Sequence, residues 1–210
     1  MSRQEAEQMI QAGMKLFEDA HRRRPIHLVG LGEMGIGNTT PSSALASLLT
    51  GAAPEQVTGC GTGLTQEQRH QKVAVIEKAL NLHRPDPKDP WDCLAKVGGF
   101  EIGCLAGIVL AAAQARVPVF VDGFITSAAA LVACRIAPAA SHFLIASHRS
   151  VEPGHAVVLK ALGIEPLLDL NLRLGEGTGA ALGMFLAQSS IRLLSEMATF
   201  QEAGVDERTA

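Results

Sequence analysis

The sequence contains none of the short motifs that bind a metal ion or carry a covalent nucleophile. Neither H-E-x-x-H nor a paired-acid diphosphate motif is present, and no G-x-S-x-G segment occurs. The four cysteines, Cys60, Cys93, Cys104 and Cys134, form no C-x-x-C pair, which favours reduced thiols in a cytoplasmic protein. We therefore expect chemistry that uses no metal, no other cofactor and no covalent Ser or Cys intermediate.

Strong charge and long apolar runs are also absent. The net charge of the 210 residues is −3, which gives no electrostatic reason to expect nucleic acid or a membrane surface as a partner. The most apolar run, residues 102–113, is too short to span a bilayer, and residues 1–20 do not have the pattern of a signal peptide. With 47% hydrophobic residues, we expect one domain over residues 1–210, and only residues 206–210 have the composition of a disordered tail.

Short apolar runs alternate with helical patterns along the chain. The segment Thr40-Pro41 has the residues of an N-cap and a first helical position, and that helix is predicted to end at Gly51. Strands are predicted over residues 26–31, 117–121, 142–146 and 167–172. The other helices are predicted over residues 3–21, 66–83, 100–115, 127–136 and 154–162, and from the Glu176 loop to about Phe200. This alternation predicts an α/β fold: an open, mostly parallel sheet with helices on both faces, in a Rossmann-like three-layer arrangement.

Glycines, acids and hydroxyl residues follow the predicted strands. The segments beyond the four strand ends are residues 32–39, Asp122, residues 147–148 and residues 175–179. Ligands of such sheets lie at the carboxyl ends of the strands, so these residues predict a small-molecule site. Glu176 stands between glycines where packing requires no acid. Because the start of a helix favours negative charge, we expect Glu176 to stay ionised and to be a candidate general base.

The first glycine-rich loop has two possible interpretations. A G-x-G-x-x-G match at residues 30–35 is a weak dinucleotide fingerprint, since no acid ends the following strand, and no Lys-Ser/Thr pair completes a Walker A loop. Gly35, Gly37, Asn38 and Thr39 at a helix start suit a single phosphate monoester. The alternative is a tight strand-to-helix turn that needs glycine for its geometry.

Other polar residues also allow more than one role. Glu33 is either a second active-site carboxylate or an acid that favours the helix dipole. Lys72 either folds back over the phosphate or faces solvent. Asp122 is either an active-site residue or a cap of the next turn. His148 is a candidate base, although residues 147–150 have the pattern of a polar loop that contributes hydrogen bonds.

Four segments carry a resemblance to a known family. They are GEMGIGNTT at residues 32–40, KVGGF at 96–100, VDGF at 121–124 and RLGEGTGA at 173–180. In this order they resemble the nicotinate-nucleotide–dimethylbenzimidazole phosphoribosyltransferase family of cobalamin lower-ligand synthesis, over essentially the whole chain. The resemblance implies transfer of phosphoribosyl from nicotinate mononucleotide to 5,6-dimethylbenzimidazole, giving α-ribazole 5′-phosphate and nicotinate with inversion at C1′.

The resemblance also implies residue roles. Glu176 matches the catalytic base, which removes the ring N–H proton of the benzimidazole, and Glu33 matches a second active-site acid. The leaving nicotinate departs from a cationic nitrogen, so neither an acid nor a metal is needed. The implied substrate-binding residues are Gly35, Gly37, Asn38, Thr39, Lys72, Asp122, Ser150, Leu174, Gly175 and Gly177.

The resemblance covers about the C-terminal three-fifths of the family fold. We therefore expect the N-terminal part, with a segment that helps bind the benzimidazole and an early core strand, to be missing. Three hypotheses follow: an active transferase, a half-enzyme that needs a separate N-terminal-half polypeptide, and a nucleotide-binding module without transferase activity. The family is typically dimeric, so a homodimer is expected.

Overall fold

The fold is described by a computed structural model that covers residues 1–61 and 63–205. The tail predicted at residues 206–210 lies outside this range. The longer helices are α1 (Arg3–Arg23), α2 (Thr39–Thr50), α4 (Gln66–His83), α6 (Phe100–Gln114), α7 (Phe124–Ile136), α8 (Pro153–Leu162) and α9 (Thr178–Glu196), with short helices α3 (Pro54–Val57) and α5 (Pro90–Val97). The strands are β1 (Val29–Gly30), β2 (Val119–Val121), β3 (Leu144–Ala146), β4 (His148–Ser150) and β5 (Leu168–Leu172), and a 3₁₀ helix covers Pro138–Phe143.

The strands form two small parallel sheets. One has the order β1-β2-β3, with Val119 of the central strand opposite Val29 and Leu144. The other pairs β4 with β5. The prediction of parallel strands is confirmed, but the strand predicted at residues 167–172 pairs with β4 and not with the three-stranded sheet.

Helices cover both faces of the three-stranded sheet, as predicted. Successive side chains of a strand point to opposite faces. Val119 and Val121 belong to the buried core together with residues of α6 and α7. Phe120 points the other way, against Gly183 of α9. The central strand is therefore buried from both sides, and its carboxyl end is the natural place for a site.

Local sequence explains two of the helix boundaries. Helix α4 has the predicted bounds, since Thr65 caps it in a reciprocal capping box with Gln68. Helix α2 ends at Gly51 as predicted, in the left-handed conformation that glycine adopts easily. No helix within the described ranges combines the length and the apolar character that crossing a bilayer requires.

Several details of the sequence interpretation were wrong. Helix α7 begins at Phe124, before its predicted start at residue 127, and residues 142–143, predicted as strand, belong to the 3₁₀ helix. Asn38, and not Thr40, is the N-cap of α2, so the helix begins before Pro41. Strand β1 is shorter than predicted because the Ile26 N–H donates to the His21 ring and not to a neighbouring strand. The short elements α3, α5 and β4 were not predicted, and α9 ends at Glu196, before the predicted end at Phe200.

Candidate functional site

A cleft of about 410 Å³ lies at the carboxyl ends of β1 and β2, bordered by β4 and by the loop before α9. It brings together nearly all of the residues predicted for the site. Those that line it are Glu33, Gly35, Gly37, Asn38, Thr39, Lys72, Asp122, Ser150, Leu174, Gly175 and Glu176. Gly177 is not part of the lining, and its backbone N–H instead faces Asp122.

The two glycine-rich loops contact each other directly at one end of the cleft. A side chain on Gly32 would place its Cβ 2.8 Å from the backbone nitrogen of Gly177, so only glycine allows this approach. A Cβ on Gly175 would lie 3.5 Å from Oε1 of Glu33. The contact therefore places the carboxylate of the first loop beside the loop that carries Glu176.

Glu176 is exposed to the cleft and has an unusual backbone conformation. Its φ of 60° lies in the left-handed region, and the φ angles of Gly175 and Gly177 are 77° and 79°. Residues other than glycine rarely adopt this region. Three consecutive left-handed residues turn the chain sharply just before α9 begins at Thr178, and surrounding contacts must hold Glu176 in this conformation.

Asp122 lies beneath this turn and is only 2% exposed. Its Oδ2 accepts a hydrogen bond from the Gly177 N–H at 3.2 Å, and its Oδ1 accepts one from the Ala180 N–H at 3.0 Å. Asp122 therefore does cap a turn. That turn is the one at the start of α9, and not the turn that directly follows Asp122 in sequence. Its predicted direct contact with substrate stays a prediction.

The side chain of His148 lies against that of Asp122 in the protein interior. The His148 Nε2 lies 3.6 Å from Asp122 Oδ1, and both side chains are almost completely buried. Burial, the largest influence, would raise the Asp122 pKa, but His148 and the two backbone N–H groups lower it below the ordinary value. Asp122 in turn raises the His148 pKa. Residues 148–150, predicted as part of a polar loop, instead form strand β4. The 3.6 Å contact is longer than a hydrogen bond, so the role of His148 stays a prediction.

Glu33 is partly buried and accepts a hydrogen bond from the Asn38 side chain. Burial raises the pKa of Glu33, and the nearby carboxylates of Asp122, Glu101 and Glu176 raise it further against the opposing effect of Asn38. Glu33 therefore holds a proton more readily than an ordinary glutamate. Glu33 and Glu176 thus lie in one cleft but in different surroundings, because Glu33 is partly buried and Glu176 is exposed.

Lys72 lies against the first residue of α2, in a different part of the lining. Its Nζ donates to Thr39 Oγ1 at 2.8 Å, and the residue is 9% exposed. Burial lowers the Lys72 pKa, with partial opposition from Glu152 and Cys60. The solvent-facing alternative is therefore wrong for Lys72. A buried ammonium beside a helix N-terminus is an arrangement that suits a phosphate group.

Two residues that sequence reasoning missed, His155 and Glu152, fix the backbone around the cleft, and Glu152 also lines it. His155 is fully buried; its Nδ1 accepts the Ser150 N–H at 2.9 Å, and its Nε2 lies 2.9 Å from Ser127 Oγ. Burial lowers the His155 pKa to about 4, so the ring is neutral and fixes the backbone of Ser150. Glu152 accepts the Gly61 N–H at 2.9 Å and so fixes the loop near Lys72.

No group of three or more His, Cys, Asp or Glu side chains within residues 1–61 and 63–205 is arranged to hold a metal ion.

Comparison with known proteins identifies the class of this fold and site. A family model described as phosphoribosyltransferase, DBI_PRT, matches residues 1–205. The chain belongs to this phosphoribosyltransferase family, as the resemblance predicted.

Named relatives give a more particular similarity. The chain is 56% identical over 207 residues to the nicotinate-nucleotide–dimethylbenzimidazole phosphoribosyltransferase of Desulforudis audaxviator, covering 99% of this chain and 58% of that protein. It is 54% identical over 208 residues to the protein of the same name from Chloroflexus aggregans, covering 99% and 59%. The crystal structure of CobT from Thermus thermophilus superimposes with a TM-score of 0.92 at 45% identity, covering 99% of this chain and 61% of that one. The chain thus spans about three-fifths of the length of these relatives.

Proposed function

We propose that this cleft transfers a phosphoribosyl group from nicotinate mononucleotide to 5,6-dimethylbenzimidazole, releasing nicotinate and inverting C1′. One observation carries the proposal: a single cleft is lined both by the carboxylates Glu176 and Glu33 and by the buried Lys72 at the start of α2. The names of the curated relatives, which specify this donor and this acceptor, support the same choice of substrates.

Glu176 acts as the general base in this proposal. One ring nitrogen of the benzimidazole forms a bond to C1′ while the bond from C1′ to the pyridine nitrogen of nicotinate breaks. The proton on the other ring nitrogen passes to the Glu176 carboxylate. The breaking bond returns its electron pair to a cationic pyridinium, so the leaving group needs no proton. Base catalysis at this one position contributes about 10²- to 10⁴-fold in rate.

Glu33 has the second role. Its backbone loop touches the Glu176 loop, and Asn38 orients its carboxyl group. A carboxyl group with a raised pKa donates a hydrogen bond when it is protonated and supports positive charge when it is ionised. We assign it to the ribose, where positive charge develops as C1′ is transferred.

Lys72, Thr39 and the first turn of α2 hold the 5′-phosphate. The Lys72 Nζ already lies within hydrogen-bond distance of Thr39 Oγ1, so one phosphate oxygen can reach both groups. The dipole of α2 adds to this attraction. Ser150, fixed by His155, completes the cleft lining in this proposal.

The test is acceptor-dependent release of nicotinate. The purified chain is incubated with nicotinate mononucleotide, with and without dimethylbenzimidazole, and nicotinate and the ribosylated base are quantified by chromatography. Equal amounts of both products, formed only with the acceptor, support the proposal. Calorimetric binding of nicotinate mononucleotide without turnover, whether or not the N-terminal part of a curated relative is added, would instead identify a nucleotide-binding module.

The oligomeric state of the chain and its need for a second polypeptide stay predictions. Light scattering of the chain at several concentrations tests the expected homodimer, and a stable monomer would count against it. The half-enzyme hypothesis predicts that turnover appears only after a second polypeptide, such as the N-terminal part of a curated relative, is added.

A further inference from the structure

The position of the Glu176 carboxylate depends on the backbone that carries it. Glu176 is exposed, and its φ of 60° lies in a region that an L-residue with a side chain adopts at a cost. A base must lie within hydrogen-bond reach of the proton that it removes. Whatever holds residues 175–177 in their left-handed turn therefore also sets the reach of the base.

We propose that Asp122, seated on His148, is a positioning residue that holds the Glu176 turn in its reactive conformation through two backbone amides. This inference rests on the proposed function for its catalytic consequence. Its structural consequence can be measured without substrate.

Both oxygens of Asp122 act on the segment that follows Glu176. Oδ2 binds the N–H of Gly177, the next residue, and Oδ1 binds the N–H of Ala180 in the first turn of α9. The two bonds join the carboxyl end of β2 to both sides of the junction between the turn and the helix. The two bonds restrain the backbone N–H groups of residues 177 and 180. The first of these belongs to the peptide that joins Glu176 to Gly177, so the bonds also restrain the backbone that carries the Glu176 side chain.

This capping arrangement differs from that of an ordinary helix start. An N-cap side chain normally belongs to the residue just before the helix. Here that residue is Gly177, which has no side chain to offer. The capping carboxylate comes instead from Asp122, which is 55 and 58 positions away in sequence from the two amides that it binds. A remote cap ties the helix to the central strand, which a local cap would not do.

His148 and Gly179 hold Asp122 in place. The His148 Nε2 lies 3.6 Å from Asp122 Oδ1. A Cβ on Gly179 would collide with the His148 ring and would lie 2.8 Å from Asp122 Oδ1. The first turn of α9 therefore rests directly on the pair.

The substitution Asp122→Asn separates positioning from substrate binding. Asparagine has one acceptor oxygen, so its NH₂ group must face one of the two backbone N–H groups, and the attraction to His148 is weakened. We expect kcat to fall about 100-fold, the effect of a small misplacement of a catalytic group. The KM for nicotinate mononucleotide should change little, because Lys72 and Thr39 are unaltered.

Hydrogen exchange distinguishes a local loosening of the Glu176 turn from a general loss of stability, because a general loss would accelerate exchange in every helix. In the substrate-free protein, Asp122→Asn should accelerate amide exchange in the peptide that covers residues 174–182 and leave α4 unchanged. Asp92→Asn is the matched control. Asp92 also accepts a backbone N–H, from Asp86, and pairs with Lys96, and neither Asp92 nor Lys96 lines the cleft. The control should leave kcat and exchange at residues 174–182 unchanged.

A second variant covers the case in which Asp122→Asn does not fold. His148→Gln keeps an N–H donor that can face Asp122 but cannot carry the charge of a protonated imidazole, and it should give a smaller loss of kcat with a smaller rise in exchange. Unchanged exchange at residues 174–182 in either folded variant would overturn the proposal, as would a rise in KM without a fall in kcat. If the unaltered chain releases no nicotinate, either alone or with the N-terminal part of a curated relative added, the proposed function fails, and the exchange measurement still decides whether Asp122 positions the turn.

Discussion

Replacing Lys72 with methionine removes a buried cation that faces the start of α2. Its Nζ is 2.8 Å from Thr39 Oγ1, and the rest of its side chain is packed against the protein. Methionine has a similar length and no charge, so the variant keeps the packing and loses the ammonium. If this ammonium binds the 5′-phosphate, the change must weaken every ligand that carries that phosphate.

The size of the effect follows from one charged hydrogen bond. Such bonds contribute about 1.5–3 kcal/mol, so the affinity for nicotinate mononucleotide should fall about 10- to 100-fold. The fold itself should not suffer. Burial lowers the Lys72 pKa, which means that the charged form opposes folding at every pH below the ordinary lysine pKa, and its removal relieves this cost.

Calorimetry with paired ligands provides the assay. Nicotinate riboside, which has no phosphate, should bind the wild type and Lys72→Met equally, whereas nicotinate mononucleotide should distinguish them. Lys78→Met is the matched control, because Lys78 lies on the exposed side of the same helix. Equal affinity of nicotinate mononucleotide for Lys72→Met and Lys78→Met would refute the assignment of the phosphate end.

Two further substitutions test the support of the site. Gly32→Ala places a Cβ 2.8 Å from the Gly177 nitrogen, where only backbone can move away; turnover should fall about 100-fold, and a wild-type rate would show that the contact between the loops has no role. The pKa of His155 is about 4 in the folded chain, below its ordinary value of 6.5. As the pH falls, the unfolded chain therefore takes up a proton at this residue before the folded chain does, and the free energy of unfolding drops by about 2 kcal/mol by about pH 5. Urea unfolding at about pH 7 and pH 5 should show this loss in the wild type but not in His155→Asn, which keeps an acceptor for the Ser150 N–H; equal losses would contradict the neutral buried ring.

Much of the site could be predicted because its chemistry is concentrated at strand ends. A carboxylate between glycines, such as Glu176, has no packing explanation, and the carboxyl ends of parallel strands are where ligands of α/β folds lie. Lys72 was harder to assign, since its position on a helix does not reveal which way it faces. The bounds of α4 were correct, but only the folded chain shows the ammonium against Thr39.

The contacts beneath the site could not be predicted because they join distant residues. The bond from Gly177 to Asp122 crosses 55 positions, and no local pattern specifies it. Strand β4 has only three residues, two of them charged or titratable, so it has no apolar pattern to detect. Helix α5 could have been found, because Asp89 and Pro90 are a good N-cap and first helical residue.

The central claim, that Glu176 accepts the acceptor's proton, is tested most directly by the single substitution Glu176→Gln. Glutamine keeps the shape of the side chain and cannot act as a base, so acceptor-dependent nicotinate release should fall about 10²- to 10⁴-fold. Binding of nicotinate mononucleotide should persist, and Glu77→Gln, on the exposed face of α4, should react like the wild type. Wild-type turnover by Glu176→Gln would contradict the account.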